Sequence, residues 1–155
     1  MMTKPSFVYT TYITTTPEQL WRALTETDIT RQYWTDPTAT SKIARVNASD
    51  WKPGSPWEHR RADETNAVDI AGKVVESNPH RRLVITWARP DEAGDATKHS
   101  RVTFDIEQAG KLCKLTVTHE DLEKDEKMFT SVSKGWPMVL SNLKTFLETG
   151  HSLVA

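Results

Sequence analysis

The chain has 155 residues, 37% of them apolar, which is typical of one globular domain with a buried core. Its 20 basic and 21 acidic residues leave a formal net charge of -1, so neither nucleic acid nor anionic lipid is an expected partner. Because it has no signal-peptide pattern and no apolar run of roughly 20 residues, we expect no membrane insertion and a single cytoplasmic domain over residues 1–155.

The first part of the chain predicts a strand followed by two short helices. FVYTTYIT, Phe7–Thr14, is rich in aromatic and β-branched residues, as strands are. Thr16 can serve as N-cap and Pro17 as the first helical residue of PEQLWRALTE, in which apolar residues recur at helical spacing. A second short helix or turn is expected over 28–33, because the proline of TDPT ends helical continuation after Trp34.

Strands and turns are expected from about residue 40 onward. ATSKIARVNA, residues 39–48, is a candidate strand. DWKPGSPW, residues 50–57, is a turn, because proline and glycine supply its fixed and permissive backbone positions. PWEHRR, residues 56–61, alternates and places Trp57 and His59 on the same face of a strand.

Two hairpins are expected in the second half of the chain. AVDIAGKVVES, residues 67–77, pairs with RLVITW, residues 82–87, and SRVTFDIEQ pairs with KLCKLTVTHE through Ala109 and Gly110. Consecutive strands with short turns predict an antiparallel meander with one covered face. In the second hairpin that face carries Val102, Phe104, Ile106, Cys113, Leu115, Val117 and His119.

The segment SKGWPMVLSNLKTFLETG, residues 133–150, predicts the helix that covers this sheet. Since Pro137 suits a first turn and Gly150 a left-handed stop, the helix is expected over 137–149, about 20 Å long. Its apolar face consists of Trp136, Val139, Leu140, Leu143, Phe146 and Leu147. Its solvent face is expected to consist of Ser141, Asn142, Lys144, Thr145 and Glu148.

The order of these motifs resembles that of a known superfamily. YITTTPEQLWRALTE, the YW at 33–34, GKVVESNPHRRLVITW, LTVTHEDL and GWPMVLSNLKTFLETG together look like the SRPBCC (START-like) superfamily. The branch that they resemble most is that of the activator of Hsp90 ATPase homologue-like proteins. The resemblance implies an α+β helix-grip fold, in which a curved antiparallel sheet wraps around a long C-terminal helix and two short helices follow the first strand. One departure is PGSPW, in which Ser55 and Pro56 follow a single glycine.

The resemblance also implies an apolar cavity between the sheet and the last helix. Six tryptophans in a chain of this size suit a cavity lined by aromatic rings, although each ring alone is also explained by core packing. We therefore expect a pocket for a small apolar or aromatic ligand. Its expected lining is Trp34, Trp57, His59, Trp87, Phe104, Leu115, Val117, His119, Trp136, Leu140 and Leu143.

His119 is the polar candidate with the strongest pattern, because it shares a strand face with Leu115 and Val117. Its imidazole is suited to a hydrogen bond with a ligand or to proton transfer. The alternative is a structural histidine tied to a backbone carbonyl or to the last helix. His59 is the second candidate. No sequence motif indicates a metal or another cofactor, and Cys113, which has no partner for an internal disulfide, is expected in the core.

Three function classes remain open. The first is a non-catalytic protein that binds a small molecule in the cavity. The second is a cyclase- or hydrolase-type enzyme that acts on a bound carbonyl compound through His119. The third is a co-chaperone-like or regulatory interaction module, whose surface would matter more than its cavity. A homodimer is also kept open, because homodimers are the commonest oligomers.

Overall fold

Seven strands form one antiparallel sheet within residues 6–40 and 43–153, the residues that the computed structural model describes. In space they follow the order β1-β7-β6-β5-β4-β3-β2. The expected meander and both expected hairpins are therefore confirmed. The strands are β1 (Phe7–Ile13), β2 (Arg45–Ala48), β3 (Pro56–Arg61), β4 (Val68–Asn78), β5 (Arg82–Trp87), β6 (Ser100–Ala109) and β7 (Leu112–Glu120).

In the same described part of the chain, three α-helices accompany the sheet: α1 (Pro17–Thr25), α2 (Thr27–Tyr33) and α3 (Glu126–Thr149). Thr16 is the N-cap of α1, as expected, and its hydroxyl accepts a hydrogen bond from the backbone N–H of Gln19 at 3.2 Å. The side chain of Gln19 forms no capping box with Thr16, because its Oε1 accepts a hydrogen bond from the hydroxyl of Thr15 at 3.0 Å. Sheet and helices together form the helix-grip fold.

β2, the strand at the opposite edge of the sheet from β1, is shorter than expected. The candidate strand over 39–48 begins only at Arg45, and Ser41 and Lys42 lie outside the described residues. β3 ends at Arg61, opposite Arg45, and beyond this pair the N–H of Ala62 still donates to the carbonyl of Ala44 at 2.8 Å. The carboxylate of Asp36 instead holds a local turn by accepting a hydrogen bond from the backbone N–H of Thr38 at 2.9 Å.

The C-terminal helix begins well before the position expected for it. Pro137 lies inside α3, which has 24 residues and starts at Glu126 after Asp125, whose carboxylate accepts a hydrogen bond from the N–H of Met128 at 2.9 Å. A proline within a helix removes one backbone hydrogen bond and costs about 3 kcal/mol. The burial of Met128 and Val132 in the added turns offsets this cost, so the helix continues through the proline.

Asn142 does not lie on the solvent face of α3, where it was expected. It is 0% exposed, its Nδ2 donates to the carbonyl of Thr35 at 3.1 Å, and its Oδ1 accepts from the N–H of Leu153 at 2.6 Å. The loop after α2 and the segment after α3 both reach this amide, which is why a polar side chain is buried here. Asn142 therefore joins three segments that are distant in sequence.

The core lies between α3 and the inner face of the sheet. Cys113, Leu115 and Val117 alternate toward it along β7, as expected, and each is 0% exposed. On α3, Leu140 and Leu143 face them and are also buried, while Leu147 is only partly buried. Among the described residues, none of the helices is long and apolar enough to cross a membrane.

One position of β4 accommodates only glycine. A Cβ on Gly72 would overlap the backbone carbonyl of Thr86 and stand 2.7 Å from Nε1 of Trp57. The same carbonyl accepts a hydrogen bond from Trp57 Nε1 at 2.7 Å. Beside it, the N–H of Lys73 donates to the hydroxyl of Thr86 rather than to a ladder carbonyl. The missing side chain thus lets an indole reach across β4 to β5.

Candidate functional site

A pocket of about 530 Å³ opens between the first half of α3 and the end of the sheet formed by β2, β3 and β4. A second opening, of about 620 Å³, shares Trp34, His59 and Gly135 with it, so the two form one continuous cleft. Aromatic and aliphatic side chains dominate the walls of the first opening, as in most small-molecule sites. They are Trp34, Trp87, Met128, Val132, Trp136 and Val139.

Four of the eleven expected site residues stand in the walls of this cleft: Trp34, His59, Trp87 and Trp136. The other seven are buried in the core, outside the pocket walls. Of the strands, β1 is the one that α3 packs against most closely, and the cleft opens toward β2 to β4. The seven are Trp57, Phe104, Leu115, Val117, His119, Leu140 and Leu143.

The sequence interpretation expected Trp136 in the wall but missed Met128 and Val132, which lie earlier on α3. Met128, Val132 and Trp136 follow one another at intervals of four residues, which is the spacing of one helix face. This signal was present in the sequence, but Pro137 was taken as the start of the helix. Gly135, which also lines the cleft, carries no side chain and left no apolar signal at all.

His119 is fully buried, and both of its ring nitrogens are bonded. The indole N–H of Trp136 donates to Nδ1 at 3.1 Å, so Nδ1 carries no proton. Nε2 therefore carries the proton and donates to the hydroxyl of Ser100 at 2.7 Å, and that hydroxyl donates to the carbonyl of Trp87 at 3.2 Å. The imidazole has no lone pair or proton left for a bound molecule, and it ties β7 to the last helix.

We expect the buried histidines to make the stability fall as the pH falls. Burial lowers the pKa of His119 to about 3 and that of His59 to about 4, whereas in the unfolded chain both titrate near 6.5. Their contribution is complete above about pH 6.5 and is lost progressively toward the folded pKa values, by about 1 kcal/mol per pH unit for each histidine.

Urea unfolding from about pH 7 to about pH 5, above most carboxylate pKa values, measures this slope. The slope of the unfolding free energy against pH reports how many protons are taken up on unfolding. In the variant His119→Gln this number should fall by about one, whereas the variant His80→Gln, changed at an exposed residue, should keep the full slope. Equal slopes for the two variants would mean that His119 does not stay neutral in the folded protein.

His59 has the opposite arrangement at the cleft. Its Nδ1 lies 2.7 Å from Oδ1 of Asn47, which can only accept, so Nδ1 carries the proton. Asn47 is itself buried, and its backbone N–H donates to the hydroxyl of Thr30 at 3.2 Å. Nε2 is therefore an unprotonated acceptor, and it has no hydrogen-bond partner among the described residues. The ring stands 4.9 Å from that of Trp34 and 6.1 Å from that of Trp87.

Burial is the main reason why His59 is neutral at physiological pH. Burial and, to a smaller extent, the positive charge of Arg45 together lower its pKa to about 4, against the opposite effect of the Asp69 carboxylate. A neutral imidazole with a bonded Nδ1–H offers one lone pair at Nε2. His59 thus presents a buried, neutral acceptor to the cleft, whose walls also include Asp91 and Ser131.

The arginines of the rim are held in ion pairs. Arg45 contacts Asp69 at 3.0 Å, and Asp69 also contacts Arg61 at 3.2 Å. Arg89 forms an ion pair with Asp125, and this contact lowers the pKa of the Asp125 carboxyl. Arg45, Asp69 and Arg89 all line the cleft, so the cations in the wall of the first opening are already matched by carboxylates.

Trp87 carries an unpaired donor. Its side chain is 7% exposed, and its indole N–H has no acceptor among the described residues. The ring lies among those of Trp57, His119 and Trp136, at 5.3 to 5.6 Å between centroids. An unpaired buried N–H is rare and costs about 1 to 3 kcal/mol. Trp87 belongs to the wall of the cleft, and its N–H is buried within that wall.

No group of three histidine, cysteine, aspartate or glutamate side chains is close enough to hold a metal ion within residues 6–40 and 43–153. Cys113 is buried, as expected. Its thiol lies 3.3 Å from the carbonyl of Thr15, and burial raises its pKa. A thiol in such surroundings is a poor nucleophile.

The sequence model of one family, described as Activator of Hsp90 ATPase homolog 1-like protein, matches residues 14–148, which is most of the chain. No curated protein matches the sequence.

Solved structures of the same fold share little sequence with the chain. The Aha1 dimer from Colwellia psychrerythraea is 18% identical, with 94% of this chain and 98% of that one covered and a TM-score of 0.71. A protein from Cytophaga hutchinsonii is 23% identical, with 95% and 96% covered and a TM-score of 0.70. CalU16 from Micromonospora echinospora is 19% identical, with 94% and 77% covered and a TM-score of 0.67. At these identities the likeness concerns the fold.

Proposed function

We infer that the chain, which belongs to the Activator of Hsp90 ATPase homolog 1-like protein family, is a binding protein for a small apolar or aromatic molecule. The observation that carries this proposal is the cleft of about 530 Å³ between α3 and the β2 to β4 end of the sheet. The rings of Trp34, Trp87 and Trp136 form its walls, with centroids 5.6 to 5.8 Å apart in the two closest pairs. Largely apolar walls with a buried neutral acceptor at His59 suit retention of a ligand.

The catalytic alternative has less support. It requires His119 to exchange a proton with a bound carbonyl compound, but this imidazole is buried outside the pocket walls and bonded at both nitrogens. The interaction module rests on the family description alone, and no observation at the surface favours it. We therefore keep the binding function as the proposal.

We expect filling of the cleft at Gly135 to abolish binding without harming the fold. A Cβ at Gly135 would meet no atom within 4 Å, and the residue lines both openings. Gly135→Leu should therefore place an isobutyl group in the cleft, weakening binding of a neutral naphthalene such as 2-methoxynaphthalene by at least about tenfold. Because glycine is a poor helix former, the same variant should be more stable by about 1 kcal/mol.

Gly135→Ala is the matched control, since it gains the helix propensity but adds only a methyl group. It should be stabilised like the leucine variant and should bind like the wild type, as measured by quenching of tryptophan fluorescence and by urea unfolding. Native mass spectrometry of gently purified protein gives the second readout, because a retained ligand should be absent from the leucine variant. Unchanged binding by a folded Gly135→Leu variant would contradict the proposal.

The native mass also reports the assembly. The structure from Colwellia psychrerythraea is that of a dimer, and we propose a homodimer for this chain as well. The outer face of β1, at one edge of the sheet, exposes 58% of Val8 and 48% of Tyr12, which supports this proposal. We further propose a cytoplasmic location.

A further inference from the structure

We propose that the cleft selects neutral ring compounds that carry a hydroxyl group, and that Nε2 of His59 receives the hydrogen bond from this hydroxyl. The inference rests on the proposed function, because it names the chemical class of ligand for the same cleft. It differs from a general affinity for apolar molecules, since it assigns one atom of the wall to one group of the ligand.

The first step of the argument is the tautomer of His59. Oδ1 of Asn47 accepts a hydrogen bond from the N–H at Nδ1 of His59, 2.7 Å away. Nε2 of His59 therefore has no proton and is an acceptor. The backbone N–H of Asn47 donates in turn to the hydroxyl of Thr30. Asn47 is thus held in place, and it fixes the orientation of the His59 ring. A group that donates, such as a hydroxyl, matches this lone pair, whereas an ether or a carboxylate oxygen meets it with a second lone pair.

The second step concerns the charge of the ligand. The arginines in the wall of the first opening, Arg45 and Arg89, are each paired with a carboxylate, of Asp69 and Asp125 respectively. Asp91 adds a further carboxylate to the same wall. Lys134 lines only the second opening, and it is exposed to solvent. An anionic ligand would therefore lose hydration at the first opening without gaining an unpaired cation.

The third step concerns the groups beside His59. The rings of Trp34 and Trp87 flank the imidazole at 4.9 and 6.1 Å, so the atoms attached to the hydroxyl lie among aromatic faces and edges. The hydroxyl of such a ligand therefore pairs with Nε2 of His59 while its ring contacts Trp34 and Trp87.

Three matched probes test the inference: 2-naphthol, 2-methoxynaphthalene and 2-naphthoate, titrated against the wild type by tryptophan fluorescence. One net hydrogen bond should make 2-naphthol bind about fivefold to tenfold more tightly than its methyl ether, and 2-naphthoate should bind most weakly. In His59→Phe the first two probes should bind equally, whereas the variant His80→Phe, changed at an exposed residue, should keep the preference.

A direct readout needs no variant. Nitrogen-15 spectra of the imidazoles should show Nε2 of His59 unprotonated and shifted by 2-naphthol, but not by 2-methoxynaphthalene. Equal binding of the two, or tightest binding of 2-naphthoate, would overturn the selection of a hydroxyl and leave the binding function intact. Failure of all three probes to bind would overturn the inference together with the proposed function.

Discussion

Replacement of Gly72 by alanine should remove a large part of the stability of the protein, about 3 kcal/mol or more. The added methyl group would overlap the backbone carbonyl of Thr86, which cannot move without separating β4 from β5. It would also stand 2.7 Å from Nε1 of Trp57, which donates to that same carbonyl. The substitution therefore strains the sheet and breaks a buried hydrogen bond.

Gly94→Ala is the control for the Gly72 substitution. A Cβ at Gly94 would meet no atom within 4 Å, so this variant should unfold within about 0.5 kcal/mol of the wild type in urea. If Gly72→Ala were equally stable, Trp57 would not cross β4 as described. Because Trp57 also packs at 5.5 Å from Trp87, the destabilised variant should lose ligand affinity as well.

Trp136→Ala should cost about 3 to 5 kcal/mol of unfolding free energy, which for a domain of this size is a large share of the total. Trp136 is 3% exposed and packs against Trp34, Trp87 and Phe104, with ring centroids 5.6 to 5.8 Å away. Truncation leaves a cavity where the two halves of α3 meet the sheet. It also leaves Nδ1 of His119 buried without a donor.

A phenylalanine at the same position separates packing from hydrogen bonding. Trp136→Phe keeps an aromatic ring but loses the N–H, so it should cost about 1 to 3 kcal/mol, mostly for the unpaired Nδ1. Combined with His119→Phe in a double-mutant cycle, it should have a coupling energy of about 1 to 2 kcal/mol, measured by urea unfolding. Trp51→Phe is the control, because its indole donates to the carbonyl of Thr25 outside this network. Strictly additive effects of Trp136→Phe and His119→Phe would contradict the bond between them.

Strand patterns were sufficient to predict the sheet and the residues that face its core. Along β7, alternation places Cys113, Leu115, Val117 and His119 on one face, and all four are buried. In α1, the N-cap at Thr16 was also predicted, because a cap depends on residues within one turn. These features are local, and a single sequence contains all the information that they need.

The place of the cleft depends on contacts that no local pattern contains. Trp34, His59, Trp87 and Trp136 come from four separate parts of the chain and meet only when α3 packs near β2 to β4. The start of α3 was misplaced because Pro137 has a strong local preference for a first turn, which burial of the added turns outweighs.

The roles of the two buried histidines also depend on distant partners. Alternation correctly places both on the inner face of the sheet, but it does not say what bonds to them. Trp136 and Ser100 occupy both nitrogens of His119, whereas Asn47 occupies only one of His59. His119, which has the stronger strand pattern, is therefore less available to a ligand than His59.

The pairing of β1 with β7 has a consequence for the order in which the chain folds during synthesis. Phe7 lies opposite His119 and Ile13 opposite Cys113, so the first strand must wait for a partner more than a hundred residues downstream. Until that partner leaves the ribosome, β1 exposes its backbone groups and apolar side chains, which makes the nascent chain prone to aggregation. Closure of the sheet by β1 and its coverage by α3 are thus late events, and both depend on the last third of the chain.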